Sequence, residues 1–108
     1  MKTKNRHNTV LAVDIDDTIA TGRFWVEGEA QPIQENLDRI NRLYKDGYVI
    51  IYHTARHPQH YALTYAWLIE HGAFFHALEM GKLAAEFYID NKALYIDDIN
   101  SLINPDHE

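Results

Sequence analysis

Acidic side chains follow the first apolar run of the chain, and their spacing suits chemistry on a charged group. Residues 10–13 are all apolar, and Asp14, Asp16, Asp17 and Thr18 come next. In an extended chain Asp14 and Asp16 point the same way. At an effective dielectric of about 20, two carboxylates about 4 Å apart repel by roughly 4 kcal/mol. The pair therefore predicts a site that holds a cation or a proton, with an Asp-rich capping turn as the structural alternative.

Two familiar metal-binding patterns do not fit the chain. A calcium loop starting at Asp14 would need glycine and glutamate where Ile19 and Trp25 stand. His53 and His57 have the spacing of zinc ligands on a helix, but Pro58 follows directly and opposes helical geometry there. We therefore expect neither a calcium loop nor a structural zinc.

Apolar runs followed by polar residues predict the strands that position these side chains. Residues 10–13 suit a strand buried on both faces. The run 48–52 is followed by His-Thr-Ala-Arg, so Thr54 stands at the end of a second strand. We expect a third strand at 74–78, a fourth at 86–89 ending in Asp90, and a short fifth at 93–96.

Between the predicted strands, apolar residues recur at helical spacing and predict helices. One helix follows Pro32 and ends before Gly47, and a second runs from Pro58 to Glu70. A helical turn is expected at Gly81 and Lys82. Residues 20–31 are typical of a small hairpin flap, whose Phe24 or Trp25 would cover a site at the sheet edge. The alternation predicts a doubly wound, mostly parallel, three-layer α/β/α sheet without a cap domain.

Composition limits the class of protein and of partner. The chain of 108 residues suits one domain, 1–108, with a loose basic tail at 1–8 and a frayed end at 100–108. A formal net charge of −6 argues against nucleic acid as a partner. Absence of a membrane-length apolar run, of a signal segment and of cysteine predicts a cytoplasmic protein without thiolate chemistry.

The predicted strands bring several polar groups to one edge. Asp14, Thr54 and Asp90 each end a predicted strand, and Lys82 precedes the last one. The carboxyl ends of parallel strands meet at one edge, where ligands bind in open α/β sheets. Taken singly, each residue has an ordinary role in a helix cap, on a solvated surface or in a turn. Together with Asp16 they predict one site.

These residues resemble the motifs of the haloacid dehalogenase-like (HAD) superfamily of aspartate-nucleophile phosphatases. The first motif, Asp-x-Asp-x-Thr after a strand, corresponds to Asp14, Asp16 and Thr18. The later motifs, a hydroxyl residue, a lysine and an acidic residue ending a strand, correspond to Thr54, Lys82 and Asp90. Residues 81–93 further resemble small capless members identified as capsular polysaccharide biosynthesis phosphatases.

The resemblance implies a Mg²⁺ site and a division of roles. Mg²⁺ would be held by Asp14, the Asp16 carbonyl and Asp90, while Asp14 forms an aspartyl-phosphate. Asp16 would protonate the leaving oxygen and activate water, and Lys82 and Thr54 would bind the phosphoryl group. Beside this scheme, four further residues are candidates for an accessory role: Thr18, Arg56, Asn91 and Trp25. Relatives often carry a second acid where this chain has Asn91, which weakens the expectation for metal binding.

We therefore expect a capless, Mg²⁺-dependent phosphomonoester hydrolase. Its substrate would be a small-molecule or carrier-linked phosphate ester, such as a sugar phosphate or a carrier-linked glycan phosphate. The open site leaves room for a neighbouring subunit of a homo-oligomer to cover it. Two alternatives remain: a phosphotransferase or mutase with the same intermediate, and a non-catalytic binding or regulatory module, which Asn91 favours.

Overall fold

A computed structural model describes residues 9–103 of the chain, which form a small α/β fold. The strands in chain order are β1 (Val10–Asp14), β2 (Ala20–Thr21), β3 (Gln31–Pro32), β4 (Val49–Thr54) and β5 (Ala77–Met80). The α-helices are α1 (Gln34–Lys45), α2 (Tyr61–Glu70) and α3 (Asn100–Ile103). Single 3₁₀ turns, Pro58–His60 and Ile96–Asp98, precede α2 and α3. The first two predicted strands and both predicted helices are confirmed.

The main sheet is parallel and aligns the strand ends that the sequence singled out. Its three strands lie in the order β1-β4-β5, and Asp14 pairs with His53 while Thr54 pairs with Met80. Both crossovers contain a helix, as parallel neighbours require. The carboxyl ends of all three strands therefore meet at one edge.

The core lies on one face of this sheet, because residues along β4 alternate between buried and half-buried. Ile50 and Tyr52 point to the buried face and pack in one apolar cluster with residues of α1 and α2. On the other face Ile51 is half-buried and Ala12 is exposed. The residues described thus form two layers, and the predicted third layer is not present among them.

The predicted flap is confirmed as a short antiparallel pair between β2 and β3. Pro32 lies in β3 rather than in the first helical turn, and α1 begins at Gln34. The chain turns sharply at Gly22, whose φ is +91°, and a Cβ added there would lie 2.6 Å from the Glu29 carbonyl oxygen. Arg23 and Glu29 form an exposed ion pair at 2.8 Å across the flap, and this pair lowers the pKa of Glu29.

Predictions for residues 74–96 were mostly wrong. The third strand is Ala77–Met80 rather than 74–78, and no strand forms at 86–89 or 93–96. The expected helical turn at Gly81 is absent as well. Every residue from 83 to 95 is exposed, and a strand forms only where a neighbour satisfies its backbone groups. The sheet consequently extends from β1 only toward β4 and β5. The described residues form no strand on the other side of β1, where the second half of a doubly wound sheet would lie.

The end of the described chain is more ordered than we expected. Residues 100–103 form α3, and Ile99 is buried against the core beside α1. The predicted loose tail, 1–8, and residues 104–108 lie outside the described range. No helix within 9–103 has the length and apolar character needed to cross a membrane.

Candidate functional site

The acidic segment after β1 is a tight loop closed by its own backbone. The Ile15 carbonyl accepts hydrogen bonds from the amides of Thr18, Ile19 and Ala20, at 2.9 to 3.1 Å. Asp17 adopts a left-handed conformation with φ of 64°, which aspartate tolerates better than most residues. From α1, the Asn36 amide group donates to the Thr18 carbonyl at 2.8 Å. Thr18 therefore helps to fix the loop that carries the carboxylates.

Asp14 and Lys82 face each other at the end of the sheet. Lys82 Nζ lies 3.4 Å from Asp14 Oδ2, and the second carboxylate oxygen accepts from the Ile15 amide at 3.1 Å. The Lys82 side chain is 18% exposed, whereas that of Asp14 is 42% exposed. The carboxylate is thus open to solvent on one side and neutralised by an ammonium group on the other.

Asp16 is held by Arg56 in a two-bonded ion pair. Arg56 Nη2 donates to Asp16 Oδ1 at 2.7 Å, and Arg56 Nε donates to Oδ2 at 3.0 Å. The Arg56 side chain is 2% exposed and that of Asp16 is 39% exposed. Such bidentate pairs fix both position and orientation.

Arg56 also joins the acidic loop to α2 and to the flap. Its Nη1 donates to Thr64 Oγ1 of α2 at 3.0 Å, and its guanidinium lies 4.1 Å from the centre of the Phe24 ring. Phe24 in turn meets Trp25 and His60 edge to face at 5.1 Å each. The sequence predicted only an accessory role for Arg56. In the structure its side chain contacts the acidic loop, α2 and the flap.

Thr54 lies beneath the site at the end of β4. It is 1% exposed, and its hydroxyl oxygen accepts from the Arg56 amide at 3.2 Å. Its carbonyl accepts from the Lys82 amide at 2.8 Å, and the Gly81 amide donates to the Arg56 carbonyl at 3.0 Å. These bonds connect the loops that follow β4 and β5, so Thr54 and Lys82 are placed together.

Other predicted site residues are not gathered there. Asp90 and Asn91 are exposed, and Asp90 Oδ1 accepts from the Lys92 amide at 2.8 Å in a local turn. Trp25 is 65% exposed, and its neighbour Phe24 is the flap aromatic that covers Arg56. The structure therefore brings together Asp14, Asp16, Thr54, Arg56 and Lys82.

Among the described residues, the acidic side chains do not complete the expected Mg²⁺ site. In the range 9–103 no group of three or more His, Cys, Asp or Glu side chains is arranged to hold a metal ion. Asp14 offers an open carboxylate, but Asp90, the second expected carboxylate ligand, is exposed and its Oδ1 accepts from the Lys92 amide in its own turn. Mg²⁺ requires near-octahedral oxygen ligation, usually with one or two carboxylates. The described residues of one chain therefore do not fit a complete Mg²⁺ site.

A search for similar proteins supports the fold. No protein-family model and no curated protein matches the chain. Among solved structures, the chain is similar to the crystal structure of an MCSG target from Vibrio cholerae, with a TM-score of 0.70 and 19% identity. The alignment covers 92% of this chain and 99% of that one. At this identity the likeness concerns the fold alone.

Sequence reasoning missed two residues of the site, Thr64 and His53, and it left Phe24 and Trp25 as alternatives for the flap. Thr64 is fully buried although it is polar, and a polar residue on the apolar face of α2 was a usable signal. The second missed residue is His53, whose pKa is lowered by burial and by the charge of Lys82, while Asp14 opposes the shift.

Replacing Asp16 by Asn should lower the free energy of unfolding by about 2 kcal/mol, because Arg56 would keep its buried charge without a counter-charge. Removing one partner of a fully buried ion pair destabilises a protein by about 3–5 kcal/mol. We expect a smaller loss here because Asp16 is partly exposed. Urea unfolding measures the change. Asp17→Asn, in the same loop, is the matched control and should stay within about 0.5 kcal/mol. Equal values for the two variants would mean that the ion pair does not stabilise the fold.

The pKa of His53 responds to the charges of Lys82 and Asp14, so it tests their arrangement without any ligand. Lys82→Met removes a positive charge and should raise the pKa of His53, whereas Asp14→Asn removes a negative charge and should lower it further. Titration of the imidazole by NMR measures both shifts. Shifts of the same sign in the two variants would contradict the described arrangement of Lys82 and Asp14 around His53.

Proposed function

We propose that the chain is a phosphomonoester hydrolase in which Asp14 attacks phosphorus. The observation that carries the proposal is the meeting of a half-exposed Asp14 carboxylate with the Lys82 ammonium, 3.4 Å away, at the carboxyl edge of a parallel sheet. Asp16 lies in the loop after β1 and Thr54 is the last residue of β4, the positions that the motif order of the HAD-like phosphatases implies. Ligand sites of open α/β sheets lie at this edge.

The positive charge of Lys82 beside Asp14 suits the proposed attack of Asp14 on phosphorus. A phosphoester is an anion, so a carboxylate approaches it only where positive charge is close by. Lys82 supplies that charge and touches Asp14. In the proposed step an Asp14 oxygen forms a bond to phosphorus while the bond from phosphorus to the ester oxygen breaks, giving an aspartyl-phosphate and a released alcohol.

Asp16 is the proposed proton carrier of both steps. It would give its proton to the leaving oxygen, and then take one from the water that attacks phosphorus and frees Asp14. Both oxygens of Asp16 accept bonds from Arg56 in the described conformation. Asp16 must therefore exchange Arg56 for the leaving group, and its 39% exposed side chain leaves space for that rotation.

Thr54 is the proposed donor to a phosphoryl oxygen. Its hydroxyl oxygen already accepts from the Arg56 amide, so the hydroxyl proton is directed elsewhere. Burial of Thr54 at 1% exposure fixes the rotamer through packing. Fixed donors stabilise charge that develops in the transition state without reorganising.

The proposed substrates are small or carrier-linked phosphate esters, including sugar phosphates and carrier-linked glycan phosphates. The described residues contain a hairpin flap between β1 and α1 but no inserted cap, so a bulky ester has access to Asp14. The same openness favours hydrolysis over phosphoryl transfer to a sugar, because transfer requires exclusion of water. The proposed compartment remains the cytoplasm, and the proposed cofactor remains Mg²⁺, as the resemblance implies.

Two observations favour a second candidate, a non-catalytic module with the same fold. Arg56 occupies both carboxylate oxygens of Asp16, and Asn91 replaces a second acid. A module of this kind would bind phosphate esters through Lys82 and Thr54 without cleaving them. Phosphate release under Mg²⁺ separates the two candidates.

In the presence of Mg²⁺ the protein should hydrolyse an aryl phosphate, and Asp14→Asn should reduce the rate by about 10⁴-fold or more, because the attacking oxygen is lost. Release of the phenol, followed by absorbance with and without EDTA, measures this. Asp17→Asn is the control, since this exposed carboxylate contacts none of the proposed groups. Equal activity in the wild type and Asp14→Asn would reject the assignment, and binding without turnover would favour the non-catalytic module.

A further inference from the structure

Helix α2 is apolar on the side that faces away from the core as well as on the side that faces it. Of its ten residues only Glu70 is charged, and Leu68 is fully buried in the core. On another side of the helix Tyr61 is 46% exposed, Tyr65 42% and Ile69 54%. These three residues are four apart and form one stripe along the helix, which we call the α2 stripe. Because a helix that is apolar all round is normally buried all round, the α2 stripe indicates a surface that another molecule covers.

A groove of about 450 Å³ lies between the α2 stripe and β5. Phe74, Phe75 and Leu78 line it together with the stripe. None of its ten lining residues is Asp, Glu, Lys or Arg, although 24% of the chain is charged. Depletion of charge and enrichment in Tyr and Phe are typical of the centre of a protein–protein interface. The groove therefore suits an apolar protein surface.

Strand β5 presents free backbone groups beside this groove. The Lys82 amide donates to the Thr54 carbonyl at 2.8 Å, so Thr54 and, by alternation, Tyr52 direct their backbone groups toward β5 and the residues that follow it. In a parallel pair the register partners of such residues direct their own groups to the opposite side, and these partners are Met80 and Leu78. In the described residues no strand lies beyond β5, and β5 carries neither lysine nor proline. Such an edge is a template for pairing with another strand.

We infer that the chain forms a two-fold dimer in which the β5 strands of two copies pair antiparallel about Leu78 and each α2 stripe packs into the groove of the other copy. The two Leu78 residues then exchange both main-chain hydrogen bonds, and the two sheets join into one sheet of six strands, three from each copy. A two-fold axis makes the same patch serve on both copies and closes the assembly at two.

The charges and the alternation of side chains select this register. A two-fold axis normal to the sheet keeps the core-facing residues of both strands on one face, so the axis passes through a residue of β5 and not between two. An axis at Glu79 would place the two carboxylates directly opposite each other, which is destabilising. An axis at either end of the strand, Ala77 or Met80, would pair only that end residue with β5 of the other copy. An axis at Leu78 instead places each Glu79 opposite Ala77 of the other copy.

The area of the patch suits a second copy as the occupant. The exposed parts of the Tyr61, Tyr65 and Phe74 rings contribute roughly 250 Å² per copy at about 200 Å² per aromatic side chain. With Ile69 and the edge of β5, the dimer would cover roughly 500 Å² per copy, or about 1,000 Å² in total, which is the lower limit of specific interfaces. The occupant must pair with a short strand and present an uncharged aromatic surface beside it, and the chain's own β5 and α2 stripe meet both requirements.

The dimer leaves both candidate sites open. Antiparallel pairing of β5 directs the carboxyl edges of the two sheets in opposite directions, so Asp14 and Lys82 of each copy lie away from the axis. The neighbouring subunit therefore does not cover the site in this arrangement. The inference is independent of the proposed function, because its tests measure mass and cross-linking and not activity.

Engineered cysteines test the register, because the chain contains no cysteine. The proposed pairing places Ala77 of one copy opposite Glu79 of the other at a Cα separation of about 4.5 Å, which a disulfide accepts. The two Ala77 positions, and likewise the two Glu79 positions, are diagonal neighbours about 8 Å apart, which a disulfide does not span. Ala77→Cys and Glu79→Cys, mixed under reducing conditions and then mildly oxidised, should give covalent dimers on a non-reducing gel, and either variant alone should give few. Equal cross-linking of one variant alone, or none in the mixture, would overturn the inference.

Charge substitutions on two sides of α2 test the surface. Ile69→Lys places a charge in the α2 stripe and should yield monomers by light scattering, at a concentration where the wild type has the mass of two chains. Leu63→Lys is the matched control: Leu63 is 50% exposed on the same helix but lies outside the groove, so this variant should remain a dimer. Circular dichroism verifies that both variants fold. A dimer of Ile69→Lys, or folded monomers of Leu63→Lys, would overturn the inference, and a monomeric wild type would do so by assigning the groove to a different occupant.

Discussion

The ion pair between Arg56 and Asp16 is the interaction on which the site depends. A guanidinium that is 2% exposed must have its charge and its donors satisfied, and here an acidic loop, a helix and an aromatic ring do so together. Because Arg56 follows β4 and Asp16 follows β1, this pair fixes the two loops relative to each other. The position of Asp14 beside Lys82 follows from the same constraint, since the Arg56 carbonyl also accepts from the Gly81 amide.

Much of this arrangement was accessible from the sequence because local patterns determine it. Apolar runs ending in Asp14 and Thr54 predicted two strands correctly, and helical spacing predicted α1 and α2. Once those strands are parallel, their ends share an edge, so the neighbourhood of Asp14, Thr54 and Lys82 followed from topology. The central role of Arg56 did not follow, because burial of a charged side chain is decided by tertiary contacts that no local pattern records.

The wrong predictions of strands at 86–89 and 93–96 have one physical origin. Strand-forming composition at 86–89 describes the side chains, but a strand also needs a neighbour for its backbone, and residues 9–103 provide none there.

The most direct measurement is chemical trapping of the covalent intermediate. Rapid acid quench during turnover of an aryl phosphate, followed by borohydride reduction, converts an aspartyl-phosphate to homoserine, and peptide mass mapping locates the converted residue. The account predicts homoserine at position 14 and at no other aspartate. Phosphate release with an unmodified Asp14, or conversion of a different carboxylate, would contradict it.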